Sequence, residues 1–128
     1  LLITIQSTVE TEAIDRELVE LLWFPTGGGK TEAYLGLAAF SIFMRRLRNR
    51  TDTGVHVIMR YTLRLLTAQQ FQRASGVICA MEFIRRQHTD ELGEKEISTG
   101  IWLGGSTTPN RRAEALTQLR KLKAGDRS

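Results

Sequence analysis

Cysteine, proline and long apolar runs are scarce in this sequence. Its 128 residues include one cysteine and two prolines. A single thiol, Cys79, excludes an internal disulfide framework and a metal site built from several cysteines. The longest apolar stretch, residues 34–44, falls short of the roughly 20 residues that cross a bilayer, and no secretory signal is recognisable. We therefore expect a reduced, cytoplasmic protein in which Cys79, within an apolar run, is a small buried side chain.

A strong charge imbalance is also missing. Eighteen lysines and arginines against fourteen acids give a net charge of +4. This mild basic excess is compatible with a nucleic-acid partner, and equally with solvated helix faces. Arginine predominates over lysine at residues 45–50 and 85–86, which slightly favours the first interpretation because arginine binds phosphate through two donors.

The length fits one domain or part of one. Because the chain begins with Leu1 rather than Met and ends in a polar stretch, we expect a fragment: residues 1–128 as the N-terminal portion of a larger domain. Residues 1–18 form a lead-in to which the pattern gives no single assignment. Residues 1–5 fit a strand, and residues 11–18 fit a short helix.

Apolar periodicity predicts three strand–loop–helix units. Short apolar runs typical of buried strands occupy residues 19–24, 55–59 and 97–103. Amphipathic segments follow them at residues 30–50, 63–86 and 111–123. Three such units imply right-handed crossovers and a parallel sheet covered on both faces, with Trp23 in the core. The predicted fold class is α/β.

A glycine-rich loop between the first strand and the first helix carries the strongest chemical signal. It reads Thr26-Gly27-Gly28-Gly29-Lys30-Thr31. Successive glycines allow several backbone N–H groups to point at one anion, and the following helix adds the positive end of its dipole. Lys30 would reach the β- and γ-phosphates of a nucleotide, and the Thr31 hydroxyl would bind Mg²⁺. The loop therefore predicts an ATP·Mg²⁺ site, although the general phosphate-loop pattern asks for glycine where Phe24 stands.

The same residues resemble motif I of superfamily 2 helicases, which often have alanine at the position of Phe24. The resemblance implies a three-layer RecA-like P-loop NTPase domain, truncated at its C-terminal side. It also implies that residues 26–31 hold the triphosphate, with Lys30 as the catalytic residue.

Two further segments resemble helicase loops that contact nucleic acid. Residues 61–65, with Gln69 following, resemble motif Ia, in which Thr62 and Arg64 would contact the backbone. Gly104 and Gly105 resemble the paired glycines after the third strand. An ordinary strand-to-helix junction and a simple turn are the alternatives. All three loops follow predicted strands, at the edge where open α/β sheets bind ligands.

Residues 22–37 and 59–73 are similar, more narrowly, to the helicase-like proteins of the bacterial DISARM phage-defence system, within a similarity that spans residues 19–112. This resemblance implies DNA and other defence proteins as partners, while the short apolar stretches predict no membrane partner. It implies ATP binding in a DNA-dependent helicase or translocase motor.

One element of such a motor is missing from the sequence. No Asp-Glu-x-His or Asp-Glu-x-Asp motif follows an apolar strand, and the nearest candidate, residues 89–92, lies in a polar stretch before the third strand. We therefore expect the 128 residues alone to be inactive. Two alternatives stay open: a P-loop ATPase of another class, such as an AAA-type remodeller, and a degenerate, non-catalytic nucleotide- or nucleic-acid-binding module.

Overall fold

The structure, a computed structural model, describes residues 2–19, 21, 23, 29–61, 64–103 and 108–125. Within these residues the chain forms five α-helices and one 3₁₀ turn, at Ile14–Glu17. The helices are α1 (Leu2–Val9), α2 (Lys30–Arg48), α3 (Arg64–Gln87), α4 (Thr89–Leu92) and α5 (Arg112–Lys123). Helix α2 is central, since it packs against α1, α3 and α4, whereas α5 packs against none of the other described helices. No described helix is both long and apolar enough to cross a membrane.

The predicted sheet does not form in the part of the chain that the structure describes. Residues 55–59 and 97–103 have no regular secondary structure, and neither do the described positions of the first apolar run. The expectation of an α/β, three-layer RecA-like P-loop NTPase domain with a parallel sheet is therefore wrong for this structure, which is helical. The lead-in contains a helix where a strand was one of the predictions: α1 covers most of residues 1–5, the segment that fits a strand.

The backbone hydrogen bonds of residues 97–103 show why this apolar run is not a strand. A strand needs a neighbour along its whole length, yet the Ile97 amide donates to the Glu82 carboxylate at 2.9 Å and the Leu103 amide to the Thr108 hydroxyl at 3.1 Å. Several side chains of these runs face solvent, although Ile97 is buried. Ile58 is 86% exposed, and Trp23, predicted to be in the core, is 87% exposed.

The three long helices do follow their predicted positions. Helix α2 places apolar residues three and four apart on one face, and Ile42 from that face joins Met81 of α3 and Ile97 in the core. Partly buried Ala39, Phe43, Val77 and Ile78 surround this core. Cys79 lies on the outer side of α3 and is exposed, so its predicted burial is wrong.

Two buried arginines join the C-terminal ends of α2 and α3 to residues 92–96. Arg46 is buried, and its Nη1 donates to the carbonyls of Arg50 and Leu92 at 3.3 and 3.5 Å. Its Nη2 donates to the Glu96 carbonyl at 3.3 Å. Carbonyl oxygens near helix ends need such donors. Arg46 therefore has a structural role rather than the phosphate-binding role that the arginine-rich segment suggested.

Arg85, on α3, likewise donates to a carbonyl oxygen of residues 92–96. Its Nε and Nη2 both donate to the Glu82 carboxylate at 2.7 Å, and its Nη1 donates to the Gly93 carbonyl at 2.7 Å. Together with the donating Ile97 amide and Arg86 side chain, this guanidinium lowers the pKa of Glu82 to about 2. We refer to Arg46, Glu82, Arg85 and Gly93 as the arginine corner.

Gly93 is the tightest point of the arginine corner. Its φ of 81° lies in the left-handed region, and a Cβ built there would stand 2.1 Å from the Arg50 carbonyl oxygen. Only glycine permits both this backbone conformation and this close approach. The turn after α4 can therefore close against the end of α2.

Candidate phosphate-binding site

Helix α2 begins directly after the glycine-rich loop. Gly29 is its N-cap, with φ 74° and ψ 18°, and the Gly29 carbonyl accepts the first helical hydrogen bond from the Ala33 amide at 3.1 Å. No side chain caps this end of the helix. Gly29 has no side chain of the kind with which serine, threonine or aspartate caps the positive end of a helix, here one of 19 residues.

The two residues predicted to contact phosphate and Mg²⁺ occupy the first turn. Lys30 and Thr31 are the first residues of α2, and both are partly buried. The predicted transition from loop to helix at Lys30 is thus confirmed. Thr26, Gly27 and Gly28 lie outside the described residues, so their part of the cradle stays a prediction.

Gly29 has a left-handed backbone conformation at the point where the chain enters α2. A positive φ is unfavourable for residues with a Cβ and routine for glycine. At this position the conformation leads the chain into α2, whose first amides lie at the positive end of the helix. Phosphate binding at this helix end stays a prediction.

A carboxylate and a guanidinium also lie at this helix end. Glu32 is the third residue of α2, and its Oε2 lies 4.0 Å from the place where a Cβ on Gly29 would stand. Its Oε1 accepts a hydrogen bond from Nη2 of Arg73, which belongs to α3. This ion pair joins the first turn of α2 to the middle of α3.

Arg73 belongs to no predicted motif, although this residue lies within the stretch that is similar to DISARM proteins. An acid in the first turn of a helix is common, and its partner lies 41 positions away in sequence. No periodicity or motif connects residues so far apart. Only the packing of α2 against α3 brings them together.

The predicted nucleic-acid residues are mostly untested. Arg64 is the first residue of α3, so the predicted start of that helix is confirmed to within one residue. Thr62, Gly104 and Gly105 lie outside the described residues. A common surface for Arg64 and these three residues stays a prediction.

Comparison with known proteins gives one informative relative. The chain is 47% identical over 117 residues to the DISARM protein DrmA of Bacillus paralicheniformis. The match covers 87% of this chain, which is more than the predicted span of residues 19–112, and 10% of that protein. The chain thus spans about a tenth of the length of the curated relative it matches.

Neither of the other comparisons adds a family. No family model matches the chain, and no solved structure matches it either. The resemblance to superfamily 2 helicases therefore stays a prediction from the motifs. What the comparisons support is a link between this chain and a protein of the DISARM system.

Proposed function

We propose that this chain supplies the ATP-phosphate-binding segment of a phage-defence protein that couples ATP to work on DNA. One observation carries the nucleotide part: a Gly-Gly-Gly-Lys-Thr loop enters a helix at Lys30 through a left-handed glycine. The defence part comes from the similarity to the DISARM protein DrmA. The DNA-dependent motor comes from the helicase resemblance of the loop and of residues 61–65.

Each residue of the helix start has a definite task in this proposal. Lys30 would bind the β- and γ-phosphates with its ammonium group, and the amides around Gly29 would bind phosphate oxygens. The Thr31 hydroxyl would hold Mg²⁺, an ion that neutralises phosphate charge when it is bound. Helix α2 keeps these groups in register because all of them belong to its first turn or to its cap.

A second candidate is a nucleotide-binding module without hydrolysis. The sequence contains no Asp-Glu-x-His motif to position Mg²⁺ and the attacking water, and this absence favours the second candidate for the 128 residues taken alone. Both candidates require nucleotide binding at Lys30. They differ in whether the complete natural protein hydrolyses ATP when DNA is added.

Lys30→Ala tests the site that both candidates share. In the complete natural protein we expect this substitution to weaken ATP binding at least about tenfold, because a charged hydrogen-bond donor to phosphate is lost. Isothermal titration with ATP and Mg²⁺ measures the effect. Lys95→Ala removes an equal charge from an exposed position and is the matched control.

Unchanged ATP affinity in the Lys30→Ala variant would contradict the proposed function. If binding is lost as expected, a steady-state assay separates the two candidates. ATP hydrolysis stimulated by DNA and abolished by Lys30→Ala supports the motor. ATP binding with no hydrolysis in the complete protein supports the binding module.

A further inference from the structure

The Glu32 carboxylate lies between two groups that both attract anions. On one side is the N-terminal end of α2, with Oε2 of Glu32 4.0 Å from the Cβ position of Gly29. On the other is the guanidinium of Arg73, which donates to Oε1. A helix N-terminus and an arginine fork each favour a carboxylate or a phosphate. Glu32 therefore fills an anion position beside the first turn of the candidate nucleotide site.

This ion pair is poorly suited to a structural role. The side chains of Glu32 and Arg73 are 60% and 51% exposed, so solvent screens their attraction. Exposed pairs of this kind contribute little to stability. A phosphate group brought to the same place can compete for Arg73 without unfolding either helix.

We propose that Arg73 is a phosphate-binding residue of the nucleotide site. In the absence of nucleotide, the Glu32 carboxylate occupies the position beside Arg73 that the phosphate takes when it binds. This inference rests on the proposed function and adds a ligand from α3 to a site otherwise built from α2 and its loop. Glu32 then competes with the nucleotide, since binding must displace its carboxylate from Arg73. Exchange of the carboxylate for phosphate would replace the direct α2–α3 ion pair with one that runs through the nucleotide.

The terminal phosphate of ATP is the group that competes best. Its oxygens match the planar guanidinium fork, which binds phosphate through two parallel hydrogen bonds. It also carries the most concentrated charge of the nucleotide, and it is the group that ADP lacks. Arg73 should accordingly distinguish ATP from ADP more strongly than Lys30 does, because Lys30 also contacts the β-phosphate that both nucleotides share.

The test measures ATP and ADP affinities of the complete natural protein by titration. We expect Arg73→Gln to weaken ATP binding about tenfold and to change ADP binding much less, since a charged hydrogen bond to the terminal phosphate is lost. Glu32→Gln should strengthen ATP binding severalfold because it removes the competing charge. Arg73→Gln should still weaken ATP binding in the Glu32→Gln background.

Arg86→Gln is the matched control. Arg86 is an exposed arginine of the same helix that also binds a glutamate, through its Nε to Glu82 at 3.0 Å. Its replacement should leave the ratio of ATP to ADP affinity unchanged. Circular dichroism and thermal melting check that each variant is folded. Arg73→Lys, which keeps the charge and loses the fork, should lose part of the ATP preference and gives a second measurement if the neutral variant unfolds.

Two results would overturn this inference and leave the proposed function standing. One is an equal or negligible effect of Arg73→Gln on ATP and ADP while Lys30→Ala still abolishes binding. The other is an effect of Arg73→Gln that disappears in the Glu32→Gln background, because Arg73 would then only position Glu32. Failure of the proposed function appears differently, as a wild-type protein that does not bind ATP or a Lys30→Ala variant that binds it normally.

Discussion

The two ends of the α2–α3 pair each contain a glutamate bound by an arginine, in very different surroundings. In the arginine corner, Glu82 and Arg85 are 15% and 7% exposed, and Gly93, Ile97 and Arg86 complete their hydrogen bonding. At the start of α2, Glu32 and Arg73 are more than half exposed and bind each other across the two helices.

This difference shows how burial changes the consequence of the same chemistry. A buried pair is expensive to break, because the partner left behind is a charge without compensation. An exposed pair is nearly neutral energetically and can exchange partners with solvent or a ligand. One end of the helix pair is therefore organised for rigidity, and the other keeps its charged groups accessible next to the candidate phosphate site.

Gly93→Ala should have the largest effect on stability. A methyl group there would stand 2.1 Å from the Arg50 carbonyl oxygen, on a backbone with φ 81°. We expect the free energy of unfolding to fall by about 3 kcal/mol, from strain plus displaced backbone. Urea denaturation measures it. Gly125→Ala, at φ 80° with open space around it, is the control and should cost about 1 kcal/mol. Equal losses for the two variants would contradict the tight contact.

Glu82→Gln should destabilise the protein by about 2 kcal/mol at neutral pH, because it removes the charge that pairs with Arg85 and Arg86. The pKa of Glu82 is about 2 in the folded protein against an ordinary value of 4.5. A lowered pKa means that the carboxylate contributes its full stability above pH 4.5 and loses it as the pH falls towards 2.

Denaturation of wild type and Glu82→Gln across that pH range tests this assignment. The difference between the two free energies of unfolding should shrink steadily below pH 4.5. Glu114→Gln, on the exposed face of α5, should show no comparable difference. A constant gap between wild type and Glu82→Gln down to pH 2 would contradict the proposed role of the carboxylate.

Gly29→Ala should cost about 1 kcal/mol in unfolding, less than Gly93→Ala. Both glycines have a positive φ, but the Glu32 carboxylate oxygen is the nearest atom to the new methyl group at Gly29, at 4.0 Å. The effect on ATP binding should exceed the effect on stability, since the first amides of α2 would be turned away from the phosphate. Parallel urea and ATP titrations separate the two quantities. A loss in ATP affinity no greater than the loss in stability would weaken the assignment of this loop.

Arg73→Gln should have the smallest effect on stability, no more than about 0.5 kcal/mol. Its replacement breaks an exposed ion pair and leaves both helices packed through their apolar faces. The measurement is the same urea titration. A loss comparable with that of Glu82→Gln would show that the two ends of the helix pair are equally structural, and the contrast between them would fail.

Sequence reasoning located the long helices and missed the rest of the architecture. The start of α2 at Lys30 and that of α3 near Leu63 were predictable, because apolar spacing and a glycine stop are local signals. The apolar runs at residues 55–59 and 97–103 were wrongly predicted as strands. Their composition does favour an extended chain, but it does not supply the neighbouring backbone that a sheet requires.

The residues of the candidate site fall into two similar groups, those predicted from the motif and those found only in the structure. Gly29, Lys30 and Thr31 were predicted from the motif alone, since their proposed roles follow from order along the chain. Arg73 was not, because its contact with Glu32 depends on how two helices pack. The buried arginines were likewise interpreted as candidates for an anionic partner, whereas Arg46 and Arg85 bind carbonyl oxygens and a carboxylate within the chain.

By itself, the sequence determined where α2, α3 and α5 begin and end to within one or two residues, and it predicts where a phosphate would meet the chain. Helical hydrogen bonds join residues four apart, and the phosphate motif is contiguous, so both are encoded locally. Tertiary structure alone decided that the described apolar runs stay without a strand partner, which arginines are buried and that Arg73 contacts Glu32. Those outcomes depend on partners that are 15 to 50 positions apart along the chain and come together only when α2 and α3 pack.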